Sequence, residues 1–106
     1  MSKVSVNSDS SIANNKLWLS AQVRHRAVGE DGVLVHLQNG RVIVVNEIGL
    51  YIVHLLQKPI STVAISESIS AEFDVTLQQA ESDMIKFLAE LDHENIIERA
   101  TPADYR

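Results

Sequence analysis

The stretch Arg41–Leu56 constrains the fold more than any other, because a strand pattern passes directly into a helix pattern within it. Val42–Val45 is an unbroken β-branched run between polar residues, which is typical of a strand. Apolar residues then recur at spacings of three and four, which indicates a helix. Asn46 stands at the junction, and its side-chain oxygen can accept hydrogen bonds from a first helical turn. The sequence therefore predicts a strand that leads into a helix with almost no loop.

Two more strands are predicted upstream of this stretch. Gln22–Val28 and Val33–Leu37 carry strand-like apolar residues. The segment Gly29–Gly32 between them is a turn signal. Asn39-Gly40 is a strong hairpin signal before the third strand, Arg41–Val45. The order predicts a three-stranded antiparallel meander, in which the third strand forms one edge.

Two further helices are predicted over residues 61–73 and 76–95. Ser61 or Thr62 can cap the earlier of them. Thr76 can cap the later one, where Thr-Leu-Gln-Gln matches a capping box. The predicted fold class is therefore α+β, with a three-stranded antiparallel sheet followed by three helices.

The domain organisation follows from composition along the chain. Residues 1–15 are rich in Ser and Asn and are expected to form a flexible arm, with Trp18 just after it as a packing residue. Residues 16–99 are expected to form one domain, and 100–106 a tail. Ile96-Ile97 is expected to pack back onto the core, so that the last two helices and this segment suggest a winged helix-turn-helix arrangement.

The charge of the chain excludes some functions. The formal net charge is −5, which argues against a non-specific nucleic-acid binder. Lys86 is the only lysine or arginine between Pro59 and Asn95, so a recognition helix there would be repelled from DNA. No apolar run approaches the roughly 20 residues that span a bilayer. A soluble cytoplasmic protein is expected.

Catalytic and metal-binding patterns are weak. The chain has four histidines and no cysteine, and no histidine pair has metal-ligand spacing. His25 and His36 could be neighbours across the first hairpin, which leaves a small metal-dependent hydrolase as an alternative. No phosphate-binding loop or nucleophile motif is present. We therefore expect no enzyme activity, no metal and no cofactor.

The edge of the predicted sheet is the remaining candidate site. The third strand, Arg41–Val45, is short and lacks proline, so its outer backbone groups need a partner or water. An extended peptide could add there as a fourth strand. The chain's own arm or a second copy could cover the same edge, and sequence physics leaves these possibilities open.

The ordered set of segments resembles the PqqD-like family, whose members are also called RiPP recognition elements. The matching residues, within about Leu19–Ile97, are Val23-Arg24-His25-Arg26, Gly29–Gly32, Val33–Leu37, Asn39-Gly40, Val44–Gly49, Ile52, Leu55-Leu56, Glu72–Val75, Asp83-Met84, Phe87-Leu88, Leu91 and Ile96-Ile97. Departures occur in two connections, at Gln57-Lys58-Pro59 and at Asn95, where the family commonly has glycine.

This resemblance implies a non-catalytic protein that binds the leader segment of a ribosomally made precursor peptide. The leader would add to the edge of the third strand and lie against the third helix. The strand residues implied are Arg41, Val42, Ile43, Val44 and Val45. On the helix, Ile85 lies off the apolar stripe and is expected to form a groove wall. The neighbours expected on its side are Gln78, Glu81, Ser82 and Ala89, and Asp83, on the opposite flank, matches a position that is often acidic.

The resemblance is greatest to the standalone leader-binding proteins of lasso-peptide biosynthesis, whose partner is a leader peptidase. One alternative is a PqqD-type chaperone that presents a peptide to a radical-SAM enzyme during quinone cofactor synthesis. Another is an acidic winged-helix regulatory or interaction protein. The expected partners are a precursor leader peptide and a leader peptidase or other modifying enzyme, with the protein itself a monomer or weak dimer.

Overall fold

A computed structural model of the protein describes residues 16–99. The flexible arm expected over 1–15 and the tail expected over 100–106 lie outside the described residues. The elements in chain order are β1 (Lys16–Leu19), β2 (Val23–Val28), β3 (Asp31–His36), β4 (Val42–Val45), α1 (Glu47–Leu55), β5 (Ile60–Ser61), α2 (Thr62–Phe73), α3 (Leu77–His93) and β6 (Ile97–Arg99).

The main sheet is the predicted antiparallel meander, with strand order β2-β3-β4. The turn between β2 and β3 is shorter than predicted. Gly29 has a φ of +63°, whereas Gly32 already belongs to β3. A side chain at Gly32 would clash with the Leu50 Cδ1 atom, which lies 2.7 Å from its ideal Cβ position. This glycine therefore lets α1 pack closely on the sheet.

The turn between β3 and β4 contains a bulge that sets the pairing of the edge strand. The Gly40 amide donates to the His36 carbonyl, and the His36 amide donates to the Arg41 carbonyl. Gly40 has a φ of +75°, which is the left-handed conformation of a G1 bulge. The register then pairs Leu34 with Ile43.

The three helices begin at residues that the sequence identifies as caps. Asn46 Oδ1 accepts from the Gly49 amide at 2.8 Å, and Ser61 Oγ accepts from the Ala64 amide at 3.1 Å. Thr76 Oγ1 accepts from the Gln79 amide at 3.0 Å. The Gln79 side chain donates to Asp83 instead, so only half of the predicted capping box forms.

A second, smaller sheet was not predicted. It has the order β5-β1-β6, so the first described strand pairs with the last. Trp18 is half-buried here, and its Nε1 donates to Glu98 Oε1 at 3.2 Å. Ile96-Ile97 returns to the core as predicted. The winged helix-turn-helix description is not confirmed, since β6 pairs with β1 in the described part of the chain.

The core lies between the main sheet and the three helices. Its fully buried large side chains are Leu34, Ile52, Val53, Leu56, Ile65, Ile69, Leu91 and Ile96. Every helix contributes to this set, so α3 is held at a fixed distance from β4. No helix within residues 16–99 is both long and apolar enough to cross a membrane.

Candidate functional site

The site begins with the backbone of β4, which is an edge strand of the main sheet. Hydrogen-bonded and non-hydrogen-bonded pairs alternate along antiparallel strands. Because His36 and Arg41 are hydrogen bonded, Leu34 and Ile43 form the next bonded pair. The amides and carbonyls of Val42 and Val44 therefore point away from β3. No other strand within residues 16–99 pairs with them.

A groove separates β4 from α3, and we call it the β4 groove. It encloses about 600 Å³. Its lining residues are Arg41, Val42, Ile43, Val44 and Val45 on the strand, with Phe87, Ala89, Glu90, Leu91, His93 and Glu94 on the helix. Ile43 and Phe87 are only partly buried, so both leave apolar surface that a side chain of a bound molecule can contact from the solvent side of the groove.

Close packing holds Phe87 in the groove. A Cβ atom on Gly49 would lie 3.1 Å from the Phe87 ring and 3.0 Å from Val45 Cβ. The absence of a side chain at Gly49 thus lets the first turn of α1 approach α3 without displacing Val45 or the Phe87 ring. The Phe87 ring therefore has little freedom to retreat into the core.

Charges mark the two ends of the β4 groove. At one end the Arg41 guanidinium lies 2.7 Å from Glu94 Oε2, which ties the start of β4 to the end of α3. Towards the other end, Glu90 and Phe87 also line a smaller cleft of about 280 Å³ together with Asp83 and Lys86. The groove therefore continues along α3 from Arg41 towards the start of α1.

Several predicted helix residues lie on the other side of α3. Glu81 and Ile85 line a separate cavity of about 350 Å³ between α3, α2 and β1. Ile85 is 61% exposed, and it does not line the β4 groove. Gln78 and Ser82 are exposed and line none of these three cavities. The structure therefore does not bring these four side chains to β4, and their role in peptide binding stays a prediction.

The remaining predicted residues do line the β4 groove or the smaller cleft that continues it along α3. All five strand residues, Arg41–Val45, line the β4 groove. Ala89 lines both this groove and the cavity on the other side of α3. Asp83, which was expected on the flank opposite Ile85, lines the connected cleft.

Sequence reasoning missed the helix residues that face β4, above all Phe87 and Glu90. Phe87 belongs to the apolar stripe of α3 and was assigned to the core for that reason. Phe87 stands three residues before Glu90, and residues at this spacing share one helix face. This spacing is the sequence signal that could have placed both residues on the same side of α3.

His25 pairs with Leu34 and His36 pairs with Val23, so the two predicted histidines are diagonal on one face of the sheet and not directly opposite. His25 contacts His54 of α1, with ring centroids 5.3 Å apart. Burial lowers the pKa of His25, and the neighbouring His54 lowers it further. His36 is buried, and its Nδ1 accepts from the Gln38 amide. No group of three or more potential metal ligands occurs in the described part of the chain.

These features define a small α+β domain whose sheet has, within residues 16–99, an open edge beside a helix-lined groove. The family model described as Coenzyme PQQ synthesis protein D (PqqD) matches residues 31–97, which include β3, β4 and all three helices. The chain belongs to this family. A comparison with curated protein sequences finds no significant match.

Three solved structures are similar. TbiB1 in complex with the TbiA(beta) leader peptide is 27% identical, with a TM-score of 0.70 over 79% of this chain and 98% of that chain. A lasso peptide synthetase B1 complexed with the leader peptide is 18% identical, with a TM-score of 0.66 over 77% and 96%. The PqqD truncation of Methylobacterium extorquens PqqCD, described as a stand-alone RiPP recognition element, is 20% identical, with a TM-score of 0.67 over 79% and 89%.

Proposed function

We propose that this protein is a non-catalytic binder of leader peptides. It holds the leader of a ribosomally synthesised precursor and delivers it to a leader peptidase or modifying enzyme, as in lasso-peptide biosynthesis. Within residues 16–99 the β4 edge is unpaired and lies beside an apolar groove, and this observation carries the proposal. The similarity to TbiB1, which was solved with a leader peptide, supports it.

The geometry of β4 specifies how the leader binds. Its backbone pairs with the outward amides and carbonyls of Val42 and Val44, which extends the sheet by one strand. Leader residues opposite Ile43 and Val45 project into the β4 groove, because paired residues share one face of a sheet. An apolar leader side chain there contacts Ile43 and Phe87.

Charge sets a second requirement on the leader. Arg41 already neutralises Glu94 across the groove, whereas Glu90 lies exposed further along the groove. A basic or neutral leader residue is therefore favoured next to Glu90, and a carboxylate is disfavoured.

The chain itself performs no chemical step in this proposal. Its role is to position the precursor, and a separate enzyme supplies the catalytic groups. Holding the leader in one register raises the effective concentration of the precursor at that enzyme. No resident metal or cofactor is needed for this role.

A second candidate is a PqqD-type chaperone for a radical-SAM enzyme, and the match to the PqqD family favours it. Both candidates use the same groove and differ in the peptide that they bind. Titration with a lasso leader and with a quinone-cofactor precursor, each at equal concentration, separates them by which peptide binds more tightly.

The backbone claim is tested with leaders encoded beside this chain's gene. A fluorescently labelled leader should bind with a Kd below about 1 μM, or about −8 kcal/mol. Val44→Pro removes an outward amide and should abolish binding, while the ladder to β3 keeps its bonded pairs. Circular dichroism verifies that the variant is folded. Unchanged binding to Val44→Pro would contradict strand addition at β4.

The side-chain claim uses two residues on opposite flanks of α3. Phe87→Ala should weaken leader binding by about 1–2 kcal/mol, because an apolar anchor is lost from the groove. Ile85→Ala is the matched control and should weaken binding less than Phe87→Ala, because Ile85 does not line the β4 groove. Phe87→Leu serves if the alanine variant unfolds. A larger loss from Ile85→Ala than from either Phe87 variant would place the leader on the other side of α3.

A further inference from the structure

The outer face of the main sheet carries an ordered pattern of side chains. Register places Arg24, Val35 and Val42 in one row across the three strands. Arg26, Val33 and Val44 form the next row on the same face. Each row therefore reads arginine, valine, valine from β2 to β4. We call these six residues the Arg–Val face.

This face is unusually apolar for the solvent side of a sheet. The helices pack against the opposite face, where Leu34 and Val45 are buried. An antiparallel sheet with one solvated side normally has polar side chains there. Val42 and Val44 are 61% and 71% exposed. A contiguous apolar patch of this kind marks an interaction surface.

The surroundings of the patch extend it and leave it accessible. Val28 and Leu37, near its margins, are also more than half exposed. Within residues 16–99 no second layer of secondary structure covers this side of the sheet. The patch is therefore exposed enough for a partner protein to dock on it.

Charge indicates the chemistry of the occupant. The chain carries a net charge of −5, yet both positions at the β2 end of the rows are arginines. Arg24 Nη1 donates to the carbonyls of Ala21 and Val23, which restrains its side chain. Neither Arg24 nor Arg26 forms an ion pair in the described part of the chain. A complementary surface has apolar side chains at its centre and carboxylates beside them.

Strand addition at β4 would lengthen both rows. Leader residues opposite Val42 and Val44 present their side chains on the Arg–Val face. Strands are spaced about 4.8 Å apart, so the arginines lie about 15 Å from these leader side chains. One docked protein can therefore contact the arginines, the valines and the leader together.

We propose that the Arg–Val face is the docking surface for the enzyme that acts on the bound leader, and that this enzyme presents an apolar patch flanked by carboxylates. This inference rests on the proposed leader-binding function. It assigns to the sheet a task separate from the β4 groove. The groove holds the leader from one side, and the outer face holds the enzyme on the other.

The probe is the purified leader peptidase encoded in the same gene cluster. Its affinity for the full-length protein is measured by biolayer interferometry with and without leader. The double variant Arg24→Glu, Arg26→Glu should weaken peptidase binding at least tenfold, and Val35→Asp should do the same. Leader affinity should stay within about twofold for both variants, because neither changes the β4 edge or the groove. Val63→Asp, at an exposed valine on α2, is the matched control and should change neither affinity.

Two readouts separate this inference from the proposed function. Peptidase binding that resists both Arg–Val face variants overturns the inference, even if the leader binds normally. Absence of leader binding with normal, variant-sensitive peptidase binding overturns the proposed function alone. A dimer that dissociates on Val35→Asp would identify a second copy of this chain as the occupant and would also overturn the inference. A wild-type protein that does not bind the peptidase would overturn it as well.

Discussion

His25 and His54 meet where β2 passes the last turn of α1, and their rings are 5.3 Å apart. His25 lies on the inner face of the sheet opposite Leu34, where its imidazole is partly shielded from solvent. Burial and the neighbouring imidazole both disfavour the charged form, so the pKa of His25 is lowered below its ordinary value of 6.5. The pair therefore couples the sheet to α1 in a pH-dependent way.

Acidification should destabilise the protein through His25. As the pH drops below 6.5, the unfolded chain binds a proton before the folded chain does, so stability falls between pH 6.5 and the lower folded pKa and levels off below that pKa. NMR titration of the His25 Cε1–H signal should give a midpoint below 6.5. His54→Gln should move that midpoint upwards, since it removes the second cause. A midpoint at or above 6.5 in the wild-type protein would show that burial does not control this group.

Single residues with local roles are the ones that sequence predicts best. Asn46 and Thr76 cap their helices as expected, because a cap needs only its own next three residues. Asn95 has a φ of +61°, which explains why the family commonly has glycine there. Phe87 packs against the core, as its place in the apolar stripe predicts, but a stripe does not reveal which of its members also line a groove at the rim of the core.

At the scale of elements, α1 and α3 approach closely at Gly49. This contact fixes the depth of the β4 groove, since a side chain there would press on the Phe87 ring and on Val45. The contact joins the strand, the first helix and the third helix at one point. Groove shape and helix packing are therefore coupled.

Gly49→Ala should affect leader binding more than stability. Overpacking costs about 1–3 kcal/mol, but alanine recovers about 1 kcal/mol of helix propensity. We expect a net destabilisation of about 1 kcal/mol by urea unfolding. The displaced Phe87 ring should narrow the groove and weaken leader binding about tenfold, or 1.4 kcal/mol. Glu47→Ala, in the same turn and exposed, is the control, and equal leader affinities for both variants would contradict the coupling.

Elements that form only by pairing with distant parts of the chain could not be predicted from the sequence. The meander follows from nearby turns, whereas β1 pairs with β5 and with β6, far along the chain. Strands as short as Ile60–Ser61 carry almost no periodic signal. The side of α3 that faces β4 was also ambiguous, because a stripe has two flanks. Ile85 and Phe87 lie on different ones.

At the scale of the whole molecule, the two sides of the main sheet are specialised. The inner side holds the core and the wall of the β4 groove, while the outer side carries the Arg–Val face. The edge of β4 lies between them. A strand that adds at this edge would therefore face the β4 groove on its inner side and stay accessible from its outer side, which suits a protein that passes a peptide to another protein.

Amide hydrogen exchange at β4 tests the central claim most directly. In the free protein the Ile43 amide should be protected by its pairing with Leu34, and the outward Val42 and Val44 amides should exchange rapidly. Saturating leader should slow Val42 and Val44 at least about tenfold and leave Ile43 little changed. Protection of Val44 in the free protein, or its continued rapid exchange in the leader complex, would contradict an open edge that a guest strand completes.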